Sequence, residues 1–376
     1  MKRTLSLLIV LMMVFTFGLT GCGGNGDTEE PPSSGEQATE PLKVVLLLNG
    51  NLGDKSFFDS ADNGLKMIQE KYGDDVVTKT IEMTYDETKW RPTLEDISDE
   101  DWDVIILGTW QMQEMLEEIA PLYPENKYII FDTSVDYESY DLGNVYSINY
   151  KQNEGSFLAG VLAAKVTTSD MELANPDKRI GFLGGMDIPV INDFLVGYIE
   201  GAQYIDDEIK VEISYIGNFD DSAKGKELAL AQYGMGADIG FNVAGQAGLG
   251  QLDAAKEQNR YAIGVDSDQA LIFAESDPDK ANLIVTSMLK RVDNSLVRAI
   301  DLHLEGTLPY GSAENLGMAE EAVGLADNEY FNSLISEEIR DELKDIEDKI
   351  MNGEIAVTSA IGMSTEELNE IKDSVK

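Results

Sequence analysis

The chain has 376 residues, of which 70 are acidic and 28 basic, for a formal net charge of −42. So large an excess of carboxylates repels nucleic acid and anionic headgroups, and disfavours both as partners. The single cysteine, Cys22, excludes a disulfide framework and a cysteine-based metal site, and the length calls for two lobes rather than one core.

The chain opens as a leader. Lys2 and Arg3 precede an uncharged apolar stretch from Leu5 to Leu19, shorter than the roughly 20 residues that a membrane-spanning helix needs. The sequence Leu19-Thr20-Gly21-Cys22 resembles a bacterial lipobox. That resemblance implies a signal peptide over 1–21, a lipid on Cys22, and a mature protein anchored at the extracytoplasmic face of the cell membrane. Residues 22–41 are rich in Gly, Ser, Pro, Glu and Thr and read as a flexible tether.

From Leu42 onward short β-branched runs alternate with amphipathic stretches. The strands expected are Val44–Leu48, Val76–Met83, Val104–Leu107, Tyr128–Phe131, Val145–Ile148, Ile180–Leu183, Val211–Ile216, Ile239–Val243, Tyr261–Val265 and Leu283–Thr286. Helical patterns fall between them at Ser56–Lys71, Asn153–Val166, Val190–Ile205, Ser222–Tyr233 and Met288–Leu304. This alternation predicts an α/β protein with parallel sheets covered by helices on both faces. In such sheets ligands bind beyond the carboxyl ends of the strands, so the residues after each strand carry the functional information.

After the first strand, Ser56 and Asp59 fit a capping box that starts a helix with Phe57 and Phe58 in its first turn. Adjacent helical residues point about 100° apart, so one of the two rings is left to face a cleft. Asp132 and Asp266 each end a strand, where a carboxylate either caps the next helix or meets a ligand. Gly184-Gly185 leads into a helix carrying Phe194 and Tyr198. Asn242-Val243-Ala244-Gly245-Gln246-Ala247-Gly248-Leu249-Gly250 reads as a glycine-rich turn without the spacing of a phosphate-binding fingerprint. Lys290 and Arg291 open the helix after Val285-Thr286-Ser287.

Several of these segments, taken in order, resemble the basic membrane protein family, the nucleoside-binding lipoproteins of ABC transporters. They are Asp54-Lys55-Ser56-Phe57, Asn144 to Ala164 with Glu154 to Gly160 inside it, Gly264-Val265-Asp266-Ser267-Asp268-Gln269, Thr286 to Asp293, Val323 to Asn328 and Ile350 to Ile355. The resemblance implies a type I periplasmic-binding-protein-like fold, two doubly wound parallel-sheet lobes joined by a hinge. One lobe would hold 42–148 plus about 267–312, the other 149–266 plus about 313–376. The ligand implied is a nucleoside, purine before pyrimidine, passed on to the transporter's permease. Phe57 and Phe194 would sandwich the base, Asp132 would bond its polar edge, and Asp266 with Lys290 would bind the ribose hydroxyls. Asp54 and Phe58 complete the set of expected ligand contacts. The chain departs from the family where Phe58 replaces the usual Asn after the stacking Phe, and where Gly245-Gln246-Ala247-Gly248 replaces Gly-Gly-Thr-Gly.

Catalysis has little material here. His303 is the only histidine and sits in a helical run, and the chain has no Gly-x-Ser-x-Gly elbow and no thiol beyond Cys22. The chain therefore reads as a binder, not an enzyme, with no cofactor and no metal. The alternative ligand is a sugar or another small metabolite, held by the same fold as a transporter subunit or a sensor.

Overall fold

The computed structural model describes residues 40–376; the leader, the lipidation position and all but the end of the tether lie outside the described residues. Twelve strands form two six-stranded sheets among the described residues. The first sheet takes β1 (Leu42–Leu48), β2 (Val76–Glu82), β3 (Val104–Gly108), β4 (Lys127–Phe131), β5 (Val145–Tyr150) and β11 (Ser312–Leu316), in the order β11-β5-β4-β3-β1-β2. The second takes β6 (Arg179–Gly184), β7 (Lys210–Tyr215), β8 (Ile239–Val243), β9 (Tyr261–Asp266), β10 (Ile284–Lys290) and β12 (Val323–Leu325), in the order β12-β10-β9-β8-β6-β7. All pairings are parallel except that of β12 with β10.

Parallel strands covered on both faces are apolar throughout, and β1 shows why. Val44, Leu46 and Leu48 join Ile106 and Phe131 in the core on one face, while Val45 and Leu47 join Ile105, Leu107 and Ile130 on the other. The period of two assigns alternate residues to opposite faces, and no polar position is left in between.

The helices are α1 (Phe57–Tyr72), α2 (Trp90–Asp99), α3 (Gln113–Ile119), α4 (Gln152–Thr167), α5 (Pro189–Ile205), α6 (Ser222–Gly234), α7 (Gly245–Gln258), α8 (Gln269–Phe273), α9 (Pro278–Ala281), α10 (Val292–Leu304), α11 (Glu329–Leu334), α12 (Glu337–Met351) and α13 (Thr365–Ser374). Helix α4 leaves the first sheet and packs on α5 of the second; α10 leaves the second sheet and packs on α1 of the first. The chain thus passes between the two halves after β5, after β10, and between β11 and β12. Three crossings of this kind form the hinge region of a two-lobed fold.

Four details differ from expectation. The return to the first lobe comes after Lys290 rather than near residue 267, because β10 pairs along β9 in the second sheet. Residues 313–316 continue β11 in the first sheet, paired with β5, and do not belong to the second lobe. Met288, Leu289 and Lys290 are strand residues, so the helix starts at Val292 and Lys290 does not open it. Gly245 to Gly250 is the start of α7, not a turn.

Candidate functional site

A cavity of about 460 Å³ opens between the carboxyl ends of the two sheets. That is within the range of small-molecule sites. It lies where each strand order reverses, beyond β1 and β3 on one side and β6 and β8 on the other. Phe57, Phe58, Asp132, Phe194, Asp266 and Lys290 all line it. Of the seven ligand contacts expected from sequence, only Asp54 is absent from its walls.

Asp54 has another task. Its carboxylate accepts from the backbone N–H groups of Ser56 at 3.0 Å, Phe58 at 2.8 Å and Asp59 at 3.1 Å. It thereby satisfies the open donors at the start of α1, the part expected of a Ser56–Asp59 capping box. Ser56 makes no side-chain cap bond, and Asp59 instead accepts from Gly53 and Lys55. Burial pushes the Asp54 carboxyl up to about 6, against the pull of the three N–H donors.

The rings at the start of α1 both touch the cavity but differ in burial. Phe58 turns into the core over Gly50, where a Cβ would lie 2.1 Å from its ring, so only glycine fits beneath it. Phe57 stays half-buried at the cavity, its ring centroid 5.5 Å from that of Phe131. Phe194 reaches the cavity from α5 of the other half.

Beside these rings stands Lys290. It is 2 % exposed, and its ammonium is paired with the Asp132 carboxylate. The same nitrogen lies 5.0 Å from the ring centroid of Tyr150, 5.3 Å from Phe194 and 5.6 Å from Phe57. A carboxylate and three ring faces together offset the cost of burying the charge. Asp132 is raised by burial, and the neighbouring Lys290 opposes the shift. Asp266 is pushed up to about 7 by burial, with Lys290 and the Ser56 hydroxyl opposing it.

Both aspartates sit in the left-handed region, Asp132 at φ 66° and Asp266 at φ 62°. Aspartate tolerates this conformation better than most residues, and it turns each chain sharply out of its strand toward the cleft. Neither residue caps a helix: Asp268 caps α8 by accepting from the N–H of Leu271.

Other lining residues were not anticipated. Asn49 follows β1 and donates its amide to Thr109 Oγ1 at 2.8 Å, and Thr109 holds φ 73°, a strained value for a β-branched residue. Trp110 and Gln111 follow it along the wall, and Tyr85 and Phe219 face the cavity from opposite sheets. The strand-end rule would have found Asn49 and Thr109, each of which stands just past an expected strand. Among the described residues that line the cavity, Lys290 is the one base, against Glu87, Asp132, Asp220 and Asp266. An anion finds no unpaired cation there.

Among the described residues no group of three or more His, Cys, Asp and Glu side chains is arranged to hold a metal ion, and no helix is long and apolar enough to cross a membrane. His303 lies on α10 with Nδ1 3.0 Å from the Tyr310 hydroxyl, and it is not among the cavity-lining residues.

The sequence matches the Bmp family profile, described as ABC transporter substrate-binding protein PnrA-like, over residues 42–360. It is 31% identical over 362 residues to "Basic membrane protein A" of Borreliella burgdorferi, with 96% of each chain covered. It is 28% identical to "ABC transporter nucleoside-binding protein BmpA" of Lactococcus lactis, covering 96% of this chain and 100% of that one. Among solved structures, an ABC transporter solute-binding protein of Aeropyrum pernix superposes with a TM-score of 0.75 at 29% identity, covering 89% of this chain and all of the other.

Proposed function

The chain belongs to the basic membrane protein family of ABC transporter substrate-binding proteins, and on that premise we propose that it captures a nucleoside, purine before pyrimidine, for import by a membrane permease. The observation that carries this reading is one cavity holding two aromatic rings, Phe57 and Phe194, beside two carboxylates, the half-buried Asp132 and the buried Asp266. A flat uncharged ring joined to a vicinal diol is the ligand such a cavity selects. The base lies between the rings, where a purine offers more area than a pyrimidine. Asp132 takes a donor on its polar edge, and Asp266 with Lys290 takes the ribose hydroxyls through charge-assisted bonds.

The protein acts by binding and closure about its three crossings, without catalysis. A lipid on Cys22 holds it at the extracytoplasmic face and raises its effective concentration near the permease. The nucleoside-binding description of the Lactococcus relative agrees with the reading.

A thermal-shift screen with nucleosides, free bases, nucleotides and sugars tests it. A nucleoside at ~100 times its Kd adds roughly 2.7 kcal/mol to stability, and nucleotides, met by the acidic wall, add far less. A clear shift with a sugar and none with any nucleoside would transfer the site to the sugar or metabolite alternative.

A further inference from the structure

The two sheets touch through a cluster of contacts immediately before Phe57. Lys55 and Ser56, from the first sheet, meet the segment from Asp266 to Phe273 of the second. The fully buried Ser56 hydroxyl donates to Asp266 Oδ2, which leaves Oδ1 for a ligand. In return the Ser267 hydroxyl donates to the Ser56 carbonyl at 3.0 Å. Gln269 Nε2 donates to the Lys55 carbonyl at 3.1 Å, and the Lys55 ammonium stands 5.3 Å from the ring centroid of Phe273.

Each side of this contact is braced within its own sheet. The Ser56 N–H is held by Asp54, and the Lys55 N–H by Asp59. Gln269 is fixed by its own N–H on Ser287 Oγ at 3.0 Å and by the Val265 N–H on its Oε1 at 3.2 Å. Only its amide nitrogen reaches across. Lys55 at φ 54° and Asp266 at φ 62° hold a left-handed backbone, so both segments are shaped for this approach rather than draped over it.

From this geometry we infer that Ser56 and Ser267 are positioning residues for ligand capture. They form a latch between the lobes that sets Phe57 and Asp266 at their working separation and holds them there while ligand is bound. The inference rests on the reading that these two residues contact the ligand. This contact stabilises the closed form with or without ligand, so losing it shifts the ligand-free protein toward the open form and speeds release, while association, which starts from the open form, changes little. Losing one such hydrogen bond is worth about a fivefold to tenfold change.

The test uses the full mature chain with Ser56→Ala, Ser267→Ala and both together. Stopped-flow tryptophan fluorescence gives the nucleoside association and dissociation rates, and small-angle scattering gives the radius of gyration without ligand. Each single variant releases nucleoside about fivefold to tenfold faster with an association rate within about twofold of the parent's. The double variant has a larger radius of gyration than the parent. A purely structural role would lower the melting temperature without this split of rates. Unchanged release rates, or an unchanged radius of gyration in the double variant, overturn the latch. Failure of the parent itself to bind any nucleoside strikes the functional reading instead, and the scattering comparison still decides the latch.

Discussion

Phe57 and Phe58 are neighbours in sequence with opposite duties, and single substitutions separate them. Phe58 is 7 % exposed and packs on Gly50 and edge-on to Phe57, so Phe58→Ala opens a core cavity and costs about 3–5 kcal/mol of stability. Phe57 lends its face to the cavity, and Phe57→Ala costs about 1–3 kcal/mol of nucleoside affinity with a smaller loss of stability. Calorimetric titration and urea midpoints of the two variants check the division. If Phe58→Ala weakens binding while its urea midpoint stays at the parent's, the assignment of the rings is reversed. The lysine beside them obeys a similar logic: Lys290 is tolerable in the interior only because Asp132 and three rings surround it, so the pair acts as one unit at the ligand.

Helices α4 and α5 pack with backbone almost on backbone. A Cβ added at Gly160 would lie 2.1 Å from the Tyr198 carbonyl oxygen, and one added at Gly201 would lie 2.0 Å from that of Phe157. Because the obstacle is main chain, it cannot swing aside, and Gly160→Ala or Gly201→Ala must push the helices apart. Each costs about 1–3 kcal/mol, read as a lower urea midpoint; an unchanged midpoint in both would show that the helix pair yields freely. The same geometry explains where the sequence misleads. Gly245, Gly248 and Gly250 suggest a turn, yet they lie in α7, where a Cβ on Gly250 would meet the Ser222 carbonyl at 2.1 Å and one on Gly248 would meet Asn242 Oδ1 at 2.5 Å. Gly248 and Gly250 serve close approach, and composition alone does not distinguish that from a need for unusual φ. The strands were legible because burial on both faces leaves a continuous apolar run, as in Val44 to Leu48. The sequence pattern ends β10 at Thr286, whereas the strand runs on to Lys290, a charge that only a partner from the other sheet makes tolerable there. Phe57, Asp132 and Asp266 stood near strand ends and could be read there, whereas Phe219 and Tyr85 reach the cavity through loops whose course no local pattern records.

Across the whole molecule, acidity and burial together set a pH dependence. Two carboxyls at or beside the site are raised by burial, Asp54 to about 6 and Asp266 to about 7, and Asp132, Asp193 and Asp238 are raised for the same reason. A carboxyl whose folded pKa lies above its unfolded value keeps its proton longer in the native state. Its contribution is complete below about pH 4 and is lost as pH rises through the folded value, at up to about 1.4 kcal/mol per pH unit for each proton. Carboxylates lowered by hydrogen bonds, such as Asp136 and Asp206, act oppositely and are lost in acid. Stability therefore peaks near pH 4 and declines toward pH 7, a decline that the mutual repulsion of a chain at −42 does nothing to relieve. Asp266→Asn, which removes the titration while keeping an acceptor for Ser56, flattens the limb between about pH 4 and 7. Calorimetric melting from pH 4 to 8 reads both curves, and a parent Tm that climbs steadily to pH 8 would refute the account. Ligand supplies a second reading of the same limb. Ribose hydroxyls donating to Asp266 favour its ionised form, so binding expels the proton and saturating nucleoside flattens the parent's curve toward that of the variant. A sugar bound elsewhere in the cavity leaves the slope in place, so the pH dependence of melting reports whether the carboxylate on the latch is the one that holds the diol.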